Sequence, residues 1–198
     1  VVRASSGHLG ACLGGKIVQD RPATASSSLS LLAALPPLYP EWLGDRTFLE
    51  SHGVRFPYVA GAMANGIATT GMVEAMGRGG MLGFFGAAGL GLPKVERAID
   101  DLERNLGDRF AWGVNLIHSP NEPALEQAAA QLYLDRRVRR ISASAFLGLT
   151  SALVRYAYSG LFTDSEGRIS RKNHVFAKIS HPEIARHFMA PAPEAMVE

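Results

Sequence analysis

The feature that most constrains the fold is a unit that repeats five times: a short apolar run, a glycine-rich or polar turn, and a segment with helical periodicity. This alternation predicts parallel strands, because a parallel pair needs a long crossover connection and a helix supplies it. The predicted strands are Pro57–Ala62, Met81–Phe85, Ala111–Ile117, Arg140–Phe146 and Val175–Ser180. The predicted helices are about Thr69–Arg78, Lys94–Leu106, Ala124–Leu134, Ser151–Tyr158 and Glu183–Phe188, with a hairpin through Asp164–Gly167.

Five such units do not close a (β/α)8 barrel, which takes eight units and about 250 residues. The chain has 198 residues. The predicted fold class is therefore α/β, either an open sheet or an incomplete TIM-type barrel of about five β-α units. The tail Ala190–Glu198 resembles a linker to further chain and favours the incomplete barrel.

The first fifty residues lack this periodicity. Residues 1–34 are predicted to be poorly ordered, because Arg21–Ser30 is a serine-rich stretch with too little apolar surface to pack. Residues 35–52 carry prolines that interrupt regular structure and are predicted to form an irregular arm that packs on the barrel. Residues 53–198 are assigned to the truncated barrel itself.

Composition excludes several classes of protein. Twenty basic and 18 acidic side chains leave a net charge of +2, which creates no general field for nucleic acid or an anionic membrane. No apolar run reaches the roughly 20 residues of a membrane span, and no spacing of ligands predicts a metal site. The single cysteine, Cys12, fits a reducing cytoplasm, and the start at Val1 suggests a fragment without a signal peptide.

Polar residues follow the apolar runs at the edge where α/β proteins bind ligands. Asn65 and Asn115 offer amides to a flat heterocycle, although Asn65 beside a glycine equally suits a turn that satisfies its own backbone. Lys178 interrupts the fifth strand and predicts an anionic or electron-rich ligand, or else a lysine that extends to the rim. His118 and His181 directly follow strands and are candidate proton donors.

One dense basic patch precedes the fourth strand, at residues 136–140 (RRVRR). It could attract an acidic partner such as a carrier protein. In a parallel barrel, however, this position belongs to the face opposite the active-site mouth. A solvated turn is therefore the preferred interpretation.

Several long motifs occur in the same order as in one known family. They are YVAGAMANGIA at Tyr58–Ala68, GMLGFFGAAGL at Gly80–Leu90, VNLIHSPNEPALE at Val114–Glu126, SASAF at Ser142–Phe146 and VFAKIS at Val175–Ser180. Together with the lead-in LPPLYPEWLGDRTFLESHGVRFP, they resemble the PfaD-like trans-acting enoyl reductases of polyunsaturated fatty acid and polyketide synthases. The resemblance extends from about Leu35 to Pro193.

The resemblance implies an FMN-dependent barrel related to nitronate monooxygenases. It implies hydride transfer from NADPH or NADH through the flavin to an enoyl thioester on an acyl carrier protein, in the cytoplasm, with the synthase as partner. His118 is the catalytic candidate within this chain. The residues expected to bind the cofactor are Ala62, Met63, Asn65, Gly86, Ala87, Asn115, Ser144 and Lys178.

The sequence departs from the family after the fifth strand. The glycine-histidine segment of the SGGH type, which carries the main histidine, does not occur in the 198 residues, nor do the later glycine-rich phosphate loops. We therefore expect an unpaired sheet edge that favours association, including a homo-oligomer. Two alternatives stay open: a nitronate monooxygenase-like flavoprotein, and an inactive or split fragment that acts only as an interaction piece.

Overall fold

The structure, a computed structural model, describes residues 1–19 and 29–197. The chain divides into two compact units, Val1–Tyr39 and Pro40–Glu198. In the first unit, strands β1 (Val2–Arg3), β2 (Leu9–Gly10) and β3 (Ser30–Leu31) pair antiparallel in the order β2-β1-β3. None of its described residues is buried. The sequence pattern does not reveal such pairings, because two residues have no measurable period. Most of the predicted linker Arg21–Ser30 lies outside the described residues.

The second unit is built on a sheet of five parallel strands in the order β10-β7-β6-β5-β4. The order across the sheet follows the order along the chain, as expected when each connection crosses one face. This confirms the predicted α/β class. The strands are β4 (Val59–Ala60), β5 (Leu82–Phe85), β6 (Trp112–Ile117), β7 (Arg140–Ser144) and β10 (His174–Ala177), with the hairpin β8 (Leu161–Thr163) and β9 (Ile169–Arg171) before β10.

Helices connect and flank these strands. Thr69 and Thr150 begin two of them, because each hydroxyl accepts a hydrogen bond from a backbone N–H of the first turn, at 3.1 and 3.3 Å. No helix in the described part of the chain has both the length and the hydropathy of a membrane span. The helices are α1 (Arg46–His52), α2 (Thr70–Arg78), α3 (Leu92–Asn105), α4 (Pro123–Asp135), α5 (Ser151–Tyr158) and α6 (Pro182–Met189), with 3-10 turns at Pro40–Trp42 and Glu194–Met196.

The two faces of the sheet have different environments, as the period of a strand requires. On β6, Trp112, Val114 and Leu116 pack into the core between the sheet and the helices. The intervening Gly113 lies against the Phe84 ring on the opposite face, where a Cβ at Gly113 would stand 2.4 Å from that ring. Asn115 follows the same alternation and lies on the Gly113 face.

The sheet curls, so that its first and fifth strands approach each other. Four steps across a flat sheet would separate β4 from β10 by about 19 Å. Instead the Lys178 ammonium donates a hydrogen bond to the Ala62 carbonyl oxygen at 3.4 Å. Likewise the rings of Phe84 on β5 and Phe176 on β10 have centroids 5.1 Å apart. The curled parallel sheet with its helices confirms an incomplete barrel.

Helix α1 covers the strand beginnings. The rings of Phe48 and His52 lie with their centroids 6.2 and 5.0 Å from the Phe176 ring, and His52 lies 4.8 Å from His174 at the start of β10. The Arg140 guanidinium, at the start of β7, donates to the His52 carbonyl oxygen at 3.2 Å. The last seven residues of the segment predicted to be an irregular arm therefore form a helix. Asp45 caps this helix through a 2.8 Å hydrogen bond from the Thr47 N–H.

The two histidines between α1 and the strand beginnings, His52 and His174, are expected to make the free energy of unfolding depend on pH. Burial, with the nearby His174 and Arg140 charges, lowers the pKa of His52 to about 4, and the pKa of His174 is lowered too, mainly by burial. In the unfolded chain these imidazoles take up protons near pH 6.5. The unfolded state therefore binds more protons between about pH 6.5 and 4, and the free energy of unfolding should fall as the pH is lowered through this range.

Urea unfolding at a series of pH values tests this dependence. His52→Gln should reduce the loss of stability in this range, whereas His187→Gln, at an exposed position, should leave it unchanged. An identical pH dependence in the wild type and His52→Gln would contradict the assignment.

Candidate functional site

The carboxyl ends of the strands bring together several of the residues predicted from sequence. Asn115 is 4% exposed, and its amide nitrogen donates to the Ser142 carbonyl oxygen at 2.7 Å and to the Ser144 hydroxyl at 2.9 Å. Both acceptors lie on β7, beside β6. The amide therefore joins the third and fourth strands of the sheet, and its two N–H bonds are both used.

The orientation of this amide follows from its partners. A carbonyl oxygen only accepts hydrogen bonds, so the atom that faces Ser142 must be the Asn115 nitrogen. Among the described residues, no fully buried side-chain nitrogen or oxygen lacks a partner, and none donates to Asn115 Oδ1. Oδ1 is therefore reached by solvent and offers one acceptor at the strand ends.

Lys178 contributes the positive charge of this edge. Its Nζ lies 3.4 Å from the Ala62 carbonyl oxygen and is exposed, so its hydrogen-bonding capacity is only partly used. This position is compatible with both interpretations from sequence. An exposed ammonium at the carboxyl ends of the strands can extend into solvent, and it can also bind an anionic or electron-rich ligand. Ala62, Asn115, Ser144 and Lys178 thus lie at the same edge of the sheet.

The predicted residues of the two glycine turns mainly hold the turns together. The Asn65 N–H donates to the Ala88 carbonyl at 2.7 Å, and the Gly66 N–H donates to the Gly86 carbonyl at 2.9 Å. Asn65 has φ 56°, which an asparagine tolerates better than most residues. Its side-chain oxygen fills the space beside Gly89, where a Cβ would stand 2.2 Å away. The turn interpretation of Asn65 is therefore the one that the contacts support.

Gly86 and Ala87 do not form an open cradle. A Cβ at Gly86 would stand 1.6 Å from the Met63 carbonyl oxygen, so the backbone of the first turn occupies that space. Ala87 is 6% exposed and packs in the core on the helix side of the sheet. Met63, by contrast, is 48% exposed and can contact a ligand.

A cavity of about 50 Å³ lies near these turns on the helix side of the sheet. Asn115, Glu126 and Tyr133 are among its lining residues. It is far smaller than the 300 Å³ or more of typical ligand pockets, so the open strand ends form the better candidate site. Within residues 1–19 and 29–197, no group of three or more His, Cys, Asp or Glu side chains could hold a metal ion.

His118 lies beside these residues and has a buried partner. Its Nδ1 lies 2.8 Å from Glu126 Oε2, and its backbone N–H donates to the Ser144 carbonyl at 2.9 Å. Glu126 is 5% exposed and also accepts from the Ser119 N–H at 3.1 Å and from the Thr150 hydroxyl at 2.5 Å. Four residues thus form one hydrogen-bonded group: His118 and Ser119 from the turn after β6, Glu126 from α4 and Thr150 from the cap of α5.

Glu126 and Thr150 were not predicted from the sequence. Thr150 carries only the signal of a helix cap, and Glu126 stands in the first turn of α4, where an acidic residue is commonly explained by the helix dipole. The two are 24 residues apart, and only the packing of α4 against α5 brings them together. No spacing rule could have connected them to His118.

Comparisons with known proteins agree with the motifs. No protein-family model matches the chain. The polyketide biosynthesis protein PksE of Bacillus subtilis is 40% identical over 158 residues, which cover 80% of this chain and 21% of PksE. A polyunsaturated fatty acid synthase protein of Thraustochytrium is 42% identical over 156 residues, which cover 79% of this chain and 10% of that protein. The chain thus spans about a fifth or less of the length of these two relatives.

Solved structures resemble the fold. The enoyl reductase domain of MlnA, from the macrolactin biosynthesis cluster of Bacillus amyloliquefaciens, has a TM-score of 0.76 and 37% identity, over 78% of this chain and 36% of that one. FabK from Thermotoga maritima has a TM-score of 0.56 at 18% identity, over 72% of this chain and 40% of that one, and shows the fold alone. These similarities confirm the resemblance that the motifs predict: over about four fifths of its length, the chain is similar to portions of polyketide and polyunsaturated fatty acid synthase proteins and to the enoyl reductase domain of MlnA.

Proposed function

We propose that this chain is part of an FMN-dependent enoyl reductase that acts in trans on enoyl thioesters bound to an acyl carrier protein. The observation that carries the proposal is the group at the strand ends: an amide oxygen, a hydroxyl and an ammonium, from Asn115, Ser144 and Lys178. The similarity to the enoyl reductase domain of MlnA supports the reaction class. The similarity to polyketide and polyunsaturated fatty acid synthase proteins supports the substrate class.

These residues fit the polar edge of a flavin ring. Such a ring presents N–H donors and carbonyl acceptors in one plane. Asn115 Oδ1 accepts, Lys178 Nζ donates, and the exposed Met63 offers an apolar contact. The glycine turn at Gly86 does not fit a phosphate, because the Met63 backbone fills its space. The ring is therefore the part of the cofactor that the described residues would hold.

The chemistry supplied by bound FMN is the transfer of a hydride from NADPH or NADH to the substrate. The protein residues bind and orient. Lys178 would stabilise negative charge that develops on the edge of the flavin ring. Asn115, which is fixed by two hydrogen bonds to β7, would orient the ring at the carboxyl ends of the strands. The backbone of His118 is bonded to the Ser144 carbonyl, and its Nε2, which has no described partner, would be free to carry a proton.

Visible absorption of the purified chain, after incubation with FMN and removal of free cofactor, tests the proposal. Bound flavin is expected, with Lys178→Met weakening retention by roughly tenfold as a charge-assisted contact is lost. Lys172→Met is the matched control, because Lys172 lies over the Phe162 ring on the hairpin and not at the strand ends.

Turnover separates the competing functions. Oxidation of NADPH or NADH with a crotonyl thioester on an acyl carrier protein is expected, without activity on a nitroalkane and oxygen. Activity on the nitroalkane instead would favour a nitronate monooxygenase-like flavoprotein. Absence of both flavin and turnover would contradict the proposal for this chain and favour a role as an interaction piece.

A further inference from the structure

Glu126 is a buried carboxylate with an unusual set of partners. It is 5% exposed, and within residues 1–19 and 29–197 no arginine or lysine is bonded to it. Its donors are the His118 ring, the Ser119 N–H and the Thr150 hydroxyl. Burying a carboxylate costs free energy unless its oxygens are hydrogen-bonded, so these three donors are what keep it in place.

The donors fix where the proton of His118 lies. Glu126 Oε2 already accepts from the Ser119 N–H, and Oε1 accepts from Thr150, as an ionised carboxylate does. The start of α4 adds a favourable dipole for the negative charge. At 2.8 Å, two lone pairs would repel each other, so His118 Nδ1 must carry the hydrogen. In the neutral imidazole, Nε2 then holds the free lone pair.

Thr150 connects this group to the fold. Its hydroxyl oxygen accepts from the Leu153 N–H at 3.3 Å as the cap of α5, and that acceptance directs its hydrogen toward Glu126. The His118 ring itself packs against the Phe146 ring, with centroids 5.1 Å apart. The imidazole is therefore held by a hydrogen bond on one side and by an aromatic contact on another.

We propose that Glu126 and Thr150 are positioning residues that hold the His118 ring in its Nδ1–H form and leave Nε2 free for proton transfer. His118 is 25% exposed, and no described residue is bonded to its Nε2, so that nitrogen has a free position for a hydrogen bond. The geometry is that of a carboxylate that orients a histidine for proton transfer. The use of this proton rests on the proposed function.

In the proposed function, the cofactor held by Asn115 and Lys178 would supply a hydride that originates from NADPH or NADH, and this hydride would form a C–H bond at the β-carbon as the carbon–carbon π bond breaks. The electron pair of that bond takes the proton from His118 Nε2 at the α-carbon. His118 is left neutral with Nδ1–H facing Glu126, and solvent returns a proton to Nε2.

Nitrogen chemical shifts of ¹⁵N-histidine-labelled chain test the positioning without any cofactor. Neutral His118 is expected as the Nδ1–H tautomer by roughly tenfold or more over the other form, since the bond to Glu126 is charge-assisted. Observation of mainly the Nε2–H tautomer in the unmodified chain would overturn the proposal, whatever the variants do.

Three variants separate positioning from a purely structural role. Glu126→Gln keeps an acceptor for Nδ1 and should preserve the tautomer, whereas Glu126→Met removes it and should abolish the preference. Thr150→Ser keeps the hydroxyl and is the matched control for Thr150→Val, which should weaken the preference. A folded Glu126→Met chain with the tautomer of the wild type would also overturn the proposal.

Measurement of enoyl reductase turnover tests the catalytic role of this positioning independently of the chemical shifts. With a crotonyl thioester, Glu126→Met should lower kcat by roughly tenfold with little change in KM, and Glu126→Gln should restore most of it. The expected tautomer in a chain that binds FMN but does not reduce the thioester would support the positioning and count against the proposed function. A normal kcat in Glu126→Met would count against the positioning role in catalysis alone.

Discussion

Replacement of Gly86 by alanine is expected to lower the free energy of unfolding by about 3 kcal/mol or more, the upper range for overpacking. The added Cβ would stand 1.6 Å from the Met63 carbonyl oxygen and 2.6 Å from its carbonyl carbon. These are backbone atoms, so no side-chain rotation relieves the clash. The hydrogen bonds between the two turns, including the 2.9 Å bond from the Gly66 N–H to the Gly86 carbonyl, would have to break.

Urea unfolding measures this loss, and Gly148→Ala is its control. Gly148 follows β7 near the same edge of the sheet, has no positive φ, and a Cβ there would meet no atom within 4 Å. Gly148→Ala should therefore change stability by less than about 1 kcal/mol. Equal effects of the two substitutions would show that the turn around Met63 moves freely, and the account of Gly86 would then be wrong.

Much of the fold is predictable from the sequence because its two periods are strong. Helix α5 has the predicted bounds Ser151–Tyr158, and β5 and β6 differ from prediction by one residue at their starts. β4 is shorter than predicted, only Val59–Ala60; at its start, Pro57 has no backbone N–H to donate to a neighbouring strand. Helix α1 was missed, since seven residues after a proline-rich stretch give too few turns for a period.

The site was only partly predictable, for a different reason. Asn115 and Lys178 are recognisable because a polar side chain within an apolar strand needs an explanation. Gly86 was predicted only as a residue near the cofactor, and its contacts add a structural role, since a glycine also allows two backbones to approach. Glu126 was not predicted because its partners come from two separate segments, the turn after β6 and the cap of α5, and a single sequence does not show that these segments meet.

The hydrogen bonds from Asn115 to Ser142 and Ser144 require a neutral amide at position 115. Asn115→Asp is expected to lower the free energy of unfolding at pH 7 by about 3 kcal/mol or more, because it buries a charge at a position to which no described cation is bonded. The new carboxylate oxygen would stand where the amide nitrogen now lies, 2.7 Å from the Ser142 carbonyl oxygen. Both atoms only accept hydrogen bonds, so the contact becomes repulsive. Asn121→Asp, at an exposed position, is the control and should change stability by less than about 0.5 kcal/mol.

The loss at Asn115→Asp should depend on pH in a defined direction. Burial and the facing carbonyl raise the pKa of the new carboxyl above the value of about 3.9 that it has in the unfolded chain. The destabilisation is therefore full at neutral pH and shrinks as the pH falls, because a protonated carboxyl can donate to the Ser142 carbonyl as the amide does. Urea unfolding of the variant and the wild type between pH 7 and 5 measures the difference. A constant difference over this range, or none at pH 7, would mean that the amide nitrogen does not make the Ser142 contact and that Asn115 does not join β6 to β7.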